Sequence, residues 1–395
     1  MFNTFATLGG DPEGFLYKKG VPVPAHEAGF PTQKESKERV FRDGWAVEFN
    51  PAPSTCRALL TSNFRDLRGY SSHLYAIARS NYHLLMVPTI EMPAGWMRDA
   101  PADVLQVGCR PAFNAYTGRE ERPEVSYLAG YPYRHAGGHM HISVSAYAKT
   151  LTPIIARTYR DYSVSATSIQ TNQWFQWYND HREVCHQVML WDRYVGLLFT
   201  YLFGSEGLAL RRKMYGQAGE FRYQRHSQHS YGLEYRVPGP EIWLSSGITG
   251  LFYEIFRLVY ENRPVILEMH AGEPGRIQRE VRDAINAGIT HNDLLDLVPT
   301  LRGIYSKSQL PKVRRYCEKL SRDLFVALDR QWPVETHTGW TTLYHELTGA
   351  TIASDEECRP IREDADDEWD GGLAPIDTRF RFFPDAQMSA RHYPI

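Results

Sequence analysis

Four short stretches of the chain each place two polar side chains two residues apart. They are Asp11 and Glu13 after Gly9 and Gly10, Glu48 and Asn50 after Gly44, His139 and His141 after Gly137 and Gly138, and Glu234 and Arg236 after Gly232. Several carboxylates turned toward one cleft repel each other unless a cation lies between them, and their hard oxygens suit magnesium or manganese. Imidazoles and a planar guanidinium add groups that can hold phosphate or a further carboxylate. The chemistry these residue types favour is binding of a divalent ion together with a polyphosphate. A His-x-His pair with remote acids also serves zinc hydrolases, which activate water.

The elements that must carry these pairs can be read from the residues between them. Successive side chains of a strand alternate between faces, so residues i and i+2 project together. Around Glu48 the other face is Trp45, Val47 and Phe49; around His141 it is Met140, Ile142 and Val144; around Glu234 it is Tyr231, Leu233, Tyr235 and Val237. An apolar face backed by a polar one is the pattern of a half-buried antiparallel strand. Any one such pair is what a solvated strand face carries by default. The choice of Asp, Glu, His and Arg over Thr, Lys or Ser points instead to four neighbouring strands lining a single cleft, with the preceding glycines letting a ligand approach the backbone.

Gly-Gly-His139-Met-His141-Ile-Ser and Leu-Glu234-Tyr-Arg236-Val-Pro resemble the metal-and-ATP motifs of the glutamine synthetase and glutamate-cysteine ligase superfamily. The chain most resembles its bacteriophage branch, the carboxylate-amine (COOH.NH2) ligases of type 2. Gly-Gly-Asp-Pro-Glu, Val-Glu-Phe-Asn-Pro, the run from Gly108 through Asn114 to Tyr116, and that from Tyr215 to Arg222 match in the same order, so the resemblance spans roughly residues 5–265. It implies an ATP-dependent ligase that phosphorylates a carboxylate and lets an amine or ammonia displace phosphate. It also implies Mg2+ or Mn2+ held by Asp11, Glu13, Glu48, His139 and Glu234, and ATP phosphates met by His141 and Arg236. By the same resemblance Arg222 meets the transferred phosphoryl group or a substrate carboxylate, and Asn50 and Asn114 meet substrate. Asp11 departs from the family's Glu-x-Glu. No residue declares itself as the base that deprotonates the amine, and Glu48 is the candidate there.

The resemblance implies an α+β fold with a glutamine synthetase-like core, in which a curved antiparallel sheet lines the cleft and helices pack on its outer face. Irregular alternation of helix and strand also favours α+β over a parallel barrel. We read residues 1–265 as the catalytic core, 266–350 as a helical region, and 351–395 as an acidic and then aromatic tail. Helical spacing runs over 55–80, through Leu59, Leu60, Phe64, Leu67 and Leu74, and leads to a strand at 83–88. It recurs over 183–215, with a break at Gly204, and over 244–261, 276–287, 292–301 and 310–332. The polar stretch 21–39 reads as either a lid or a plain connection. Arg211 and Arg212, at the end of a helix, can reach ATP phosphates or simply cap the helix dipole.

With 395 residues, 43% of them hydrophobic, the chain can bury a large core. A net charge of -2 argues against duplex nucleic acid as the main ligand. No apolar run is long enough to span a bilayer. The opening residues lack the pattern of a signal peptide, and five scattered cysteines without a Cys-x-x-Cys pair read as reduced thiols, so a cytoplasmic location is expected. The expected partners are a small-molecule or peptide carboxylate and an amine or ammonia, with a homo-oligomer left open. A non-catalytic binding or virion protein is a third reading beside the ligase and the hydrolase.

Overall fold

The computed structural model describes residues 6–145, 180–261, 263 and 274–287, with short breaks inside the first two stretches. The helices read at 292–301 and 310–332 and the acidic and aromatic tail lie outside the described residues.

The longest strand, β1 (Ala6–Lys18), is the spine of the molecule. Its first half pairs antiparallel with β10 (Gly138–Ser145), and its second half turns to β4 (Ala46–Phe49), β5 (Tyr82–Leu85) and β2 (Val21–Val23). The remaining strands are β3 (Val40–Asp43), β6 (Thr89–Glu91), β7 (Ala112–Asn114), β8 (Arg119–Glu121), β9 (Tyr133–His135), β11 (Glu220–Ser227) and β12 (Ser230–Tyr235). The main sheet runs β3-β4-β1-β10-β12-β11-β7-β8, while β6 and β9 form a separate pair. Every described ladder is antiparallel, as the alternating pattern requires.

Seven α-helices are described: α1 (Arg57–Tyr70), α2 (Ala102–Leu105), α3 (His181–Trp191), α4 (Leu197–Phe203), α5 (Glu206–Arg212), α6 (Ser246–Glu261) and α7 (Pro274–Ala287). Asp180 caps α3 by accepting the Arg182 N–H at 2.9 Å. A five-residue π-turn, Asp192–Gly196, joins α3 to α4, so the long helical reading of 183–215 resolves into three helices.

One apolar core lies between helices and sheet. Leu8, Met140, Ile142, Phe221, Tyr223, Leu233, Tyr235 and Val237 of the strands pack there with Val188, Trp191, Phe199, Phe252 and Phe256 of the helices. Trp191 stacks on Phe256 at 4.1 Å between ring centroids, and both rings approach Tyr235. Val281 and Ile285 of α7 join this core, so that helix packs on the same body. A second, smaller core gathers Phe15, Trp45, Ala46, Ile90, Met92, Val104 and Ala136. Trp45 therefore leaves the company of Val47 and Phe49 and meets Trp96 edge-on.

Two expectations change here. Leu59 is exposed although its spacing put it with Leu60 and Phe64. The polar stretch 21–39 is anchored: Ala25 and Phe30 are buried in the core, and the Ala25 N–H donates to the Trp45 carbonyl.

Candidate functional site

The four polar pairs fall on, or one residue past the end of, β4, β1, β10 and β12, four consecutive strands of the sheet. Their apolar alternates face the helices, so their polar side chains share the opposite face. Register does the rest. Glu13 lies opposite Glu48, Asp11 opposite His139, and His141 opposite Glu234, which in turn faces Arg222 on β11. Directly opposed residues on one face stand within side-chain reach.

The acids form two groups. Asp11, His141 and Glu234 have ligand atoms within 4.8 Å of one another, and so do Glu13, Asp43 and Glu48. Asp43 was not anticipated. It ends β3 at a two-residue hairpin, where Gly44 takes φ 54°, and the hairpin brings it beside Glu48.

The first group is wrapped in cations. Glu234 is fully buried; it meets Arg236 Nη1 and the Gln224 amide in short contacts, His139 Nδ1 at 3.3 Å and Arg222 Nη1 at 3.6 Å. Burial alone would raise its pKa, but Arg222, Arg236 and His139 hold the carboxyl well below the usual range. Asp11 Oδ1 lies 3.0 Å from His141 Nε2 and 3.1 Å from His139 Nδ1. Those imidazoles keep Asp11 ionised against its burial.

The second group is short of compensation. Glu13 accepts the Gly137 N–H at 2.6 Å, yet burial and the neighbouring Asp43 and Asp11 push its pKa up to about 8. Glu48 is raised well above the carboxylate range by burial, Asp11, Asp43 and Glu13, and Asp43, exposed at the hairpin yet partly desolvated by its neighbours, is raised as well, with Asp11 adding. Three oxygen donors in mutual repulsion are a donor set that a hard divalent cation fits.

Arg236 also grips Glu220 through Nε at 2.8 Å, and Glu220 in turn accepts the Gly216 and Gln217 N–H groups, which ties the β12 end to the turn before β11. Arg211 is fully buried and donates to the Val237 and Arg236 carbonyls, with Nη2 3.3 Å from His139 Nε2. Arg212 turns away and donates to Thr200 Oγ1 at 2.7 Å in the helical layer. Asn114 is used locally: its Oδ1 accepts the Tyr116 N–H and its Nδ2 donates to Glu121, closing the β7–β8 hairpin. Asn50 sits just beyond β4, where its backbone N–H donates to the Arg39 carbonyl.

The glycines serve the protein rather than a ligand at three places. A methyl group on Gly10 would collide with the Trp243 indole, on Gly137 with the His139 ring, and on Gly216 with the Arg211 guanidinium. Trp243 also donates its indole N–H to the Gly138 carbonyl at 3.2 Å. Each glycine thus lets a large side chain lie flat on backbone next to the site.

Fold and site together define an α+β protein whose antiparallel sheet carries an acid, imidazole and guanidinium cluster on one face and a helical layer on the other. No protein-family model and no curated protein matches the chain. Among solved structures it is similar to a bifunctional glutathione synthetase from Pasteurella multocida, with a TM-score of 0.38 and 12% identity over 87% of this chain and 51% of that one. The chain spans about half the length of that protein, and a likeness of this size carries no functional weight. Among the described residues no helix is long and apolar enough to cross a membrane.

Proposed function

We propose that this protein is an ATP-dependent carboxylate-amine ligase that works through an acyl phosphate, with Mg2+ or Mn2+ at two adjacent carboxylate groups. The observation that supports it most directly is the pairing of a cation-rich acid cluster, Asp11, His141 and Glu234, with an under-compensated one, Glu13, Asp43 and Glu48, on adjoining strands. Bound at these groups, divalent ions would neutralise charge on the phosphates. Asp11, Glu234 and His141 would hold one ion and Glu13, Asp43 and Glu48 the other, while His139 steadies Asp11 and Glu234 from Nδ1. Arg222 stands at the edge of the cluster and is the residue we assign to the moving phosphoryl group or the carboxylate substrate. Arg236 and Arg211 are anchored by Glu220 and by backbone carbonyls. They supply fixed positive charge whose geometry need not reorganise during reaction.

The convergence of two imidazoles on Asp11 favours a zinc hydrolase as the second reading. It leaves the second acid group and Arg222 without a task. The test is ADP release from ATP with magnesium or manganese, over pooled carboxylates with ammonia or amines, and with Glu48→Gln as the blank. Carboxylate-dependent ADP that disappears in the blank supports the ligase. Zinc that copurifies with a protein unable to bind ATP supports the hydrolase, and absence of both metal and nucleotide binding removes both.

A further inference from the structure

Tyr131 and His135 belong to neither acid group, yet they are joined in a chain of hydrogen bonds whose direction can be deduced. Thr89 Oγ1 lies 2.5 Å from the Gly207 carbonyl, 2.8 Å from His135 Nδ1, and His135 Nε2 lies 2.6 Å from the Tyr131 hydroxyl. A carbonyl only accepts, so the single Thr89 proton goes to Gly207. Thr89 must then accept from His135 Nδ1–H. A neutral imidazole with its proton on Nδ1 has a bare Nε2, which accepts the Tyr131 proton. Burial, with Arg211 and Arg134 nearby, lowers the His135 pKa to about 3, which keeps the ring neutral.

The consequence lies at the far end of the chain. Thr89 and His135 are buried, Tyr131 is partly buried, and its one proton is already committed inward. Its oxygen therefore keeps only lone pairs for any further partner. We propose that Tyr131 is a specificity residue, an acceptor-only phenol that receives an N–H of the amine or ammonium co-substrate beside the acid cluster. The assignment rests on the ligase reading of the site. Its place fits: Tyr131 packs against Met214 and Tyr215, the Tyr215 hydroxyl donates to the His135 carbonyl at 2.9 Å, and the Tyr215 ring lies 5.2 Å from the Arg211 guanidinium that contacts His139. Two residues after His135, Gly137 holds Glu13.

The test needs neither ATP nor metal, so its failure and that of the ligase reading are separable. Protein carrying 13Cζ-tyrosine and 15N-histidine is titrated with ammonium, methylammonium or tetramethylammonium chloride at constant ionic strength, and Tyr131→Phe assigns the tyrosine signal. We expect His135 to show a protonated Nδ1 and a bare Nε2. Ammonium and methylammonium should shift the Tyr131 signal saturably, and tetramethylammonium, which has no N–H, should not. Thr89→Val removes the acceptor behind Nδ1 and should weaken the ammonium response at least ten-fold. An equal response to all three cations, no response to any, a protonated Nε2, or an unchanged response in Thr89→Val overturns the proposal.

Discussion

The two acid groups are built from the same kinds of residue on adjoining strands, but they are opposite in electrostatic character. Around Glu234 the protein has gathered Arg222, Arg236, Gln224 and His139, so the carboxylate is ionised and fixed without outside help. Around Glu13 and Glu48 the nearest charges are other acids, and ionisation is held back. The first group is assembled by folding. On the proposed reading a cation from solution completes the second, and that is where gain or loss of metal should be felt most.

The largest expected effects come from breaking the first group. Removing one member of a buried ion pair leaves the other uncompensated and costs roughly 3–5 kcal/mol. Glu234→Gln should therefore lower denaturant stability by that order as well as abolish ATP-dependent turnover. Retention of full stability would show that Arg222 and Arg236 do not depend on it. Arg236→Lys keeps the charge but loses the fork that reaches Glu234 and Glu220 together, and we expect turnover to fall about 10- to 100-fold.

In the second group, Glu48→Gln should abolish metal-dependent turnover yet leave the fold intact or firmer. The sign follows from Glu48 and Glu13, both raised by burial and neighbouring acids, Glu13 to about 8 from the ordinary carboxylate value of 4.5. The folded chain then holds a proton that the unfolded chain has lost, so metal-free stability declines as pH rises from about 4.5 to 8. Thermal unfolding across that range should show the decline in the wild type. Millimolar Mg2+ should reverse it, and a concentration 100-fold above Kd adds about 2.7 kcal/mol. Glu48→Gln should flatten both responses; a magnesium effect of undiminished size there would remove Glu48 from the site.

Two smaller effects test regions outside the cleft. Asp192, which opens the π-turn, accepts the Tyr235 hydroxyl at 2.7 Å, and its pKa is raised to about 7, chiefly by burial. Asp192→Asn should remove a loss of stability of up to about 4 kcal/mol that the wild type suffers between about pH 4 and 7, without altering metal affinity. Asn114→Ala should cost about 1 kcal/mol through its hairpin and leave the kinetics unchanged. A ten-fold rise in a substrate KM instead would restore Asn114 to the site.

Much of this cleft was legible from the chain because period-two alternation is a local property. Residues 46–49 and 233–237 state which side of the strand packs on the helices, and the irregular alternation of helix and strand pointed to the α+β class. Partners brought in from other strands were not legible. Asp43 reaches Glu48 through a hairpin, and Glu220 and Gln224 meet Arg236 and Glu234 across β11 and β12; no spacing announces such contacts. The glycines misled for a related reason, since sequence shows that something approaches the backbone but not that it is Trp243, His139 or Arg211. Arg211 and Arg212 looked alike as neighbours on one helix end, and the roughly 100° step between consecutive helical residues sends them to different layers.

The 13-residue β1 changes partners between its two acids: Asp11 is laddered to β10, and Glu13 to β4. One continuous backbone therefore serves as a ruler, and two residues of extended chain, about 6.7 Å, set the spacing of the two groups. No loop intervenes that could lengthen or shorten that interval. Any two ions held here would keep a fixed separation whatever the bound substrate, and a displacement of β1 would move both at once.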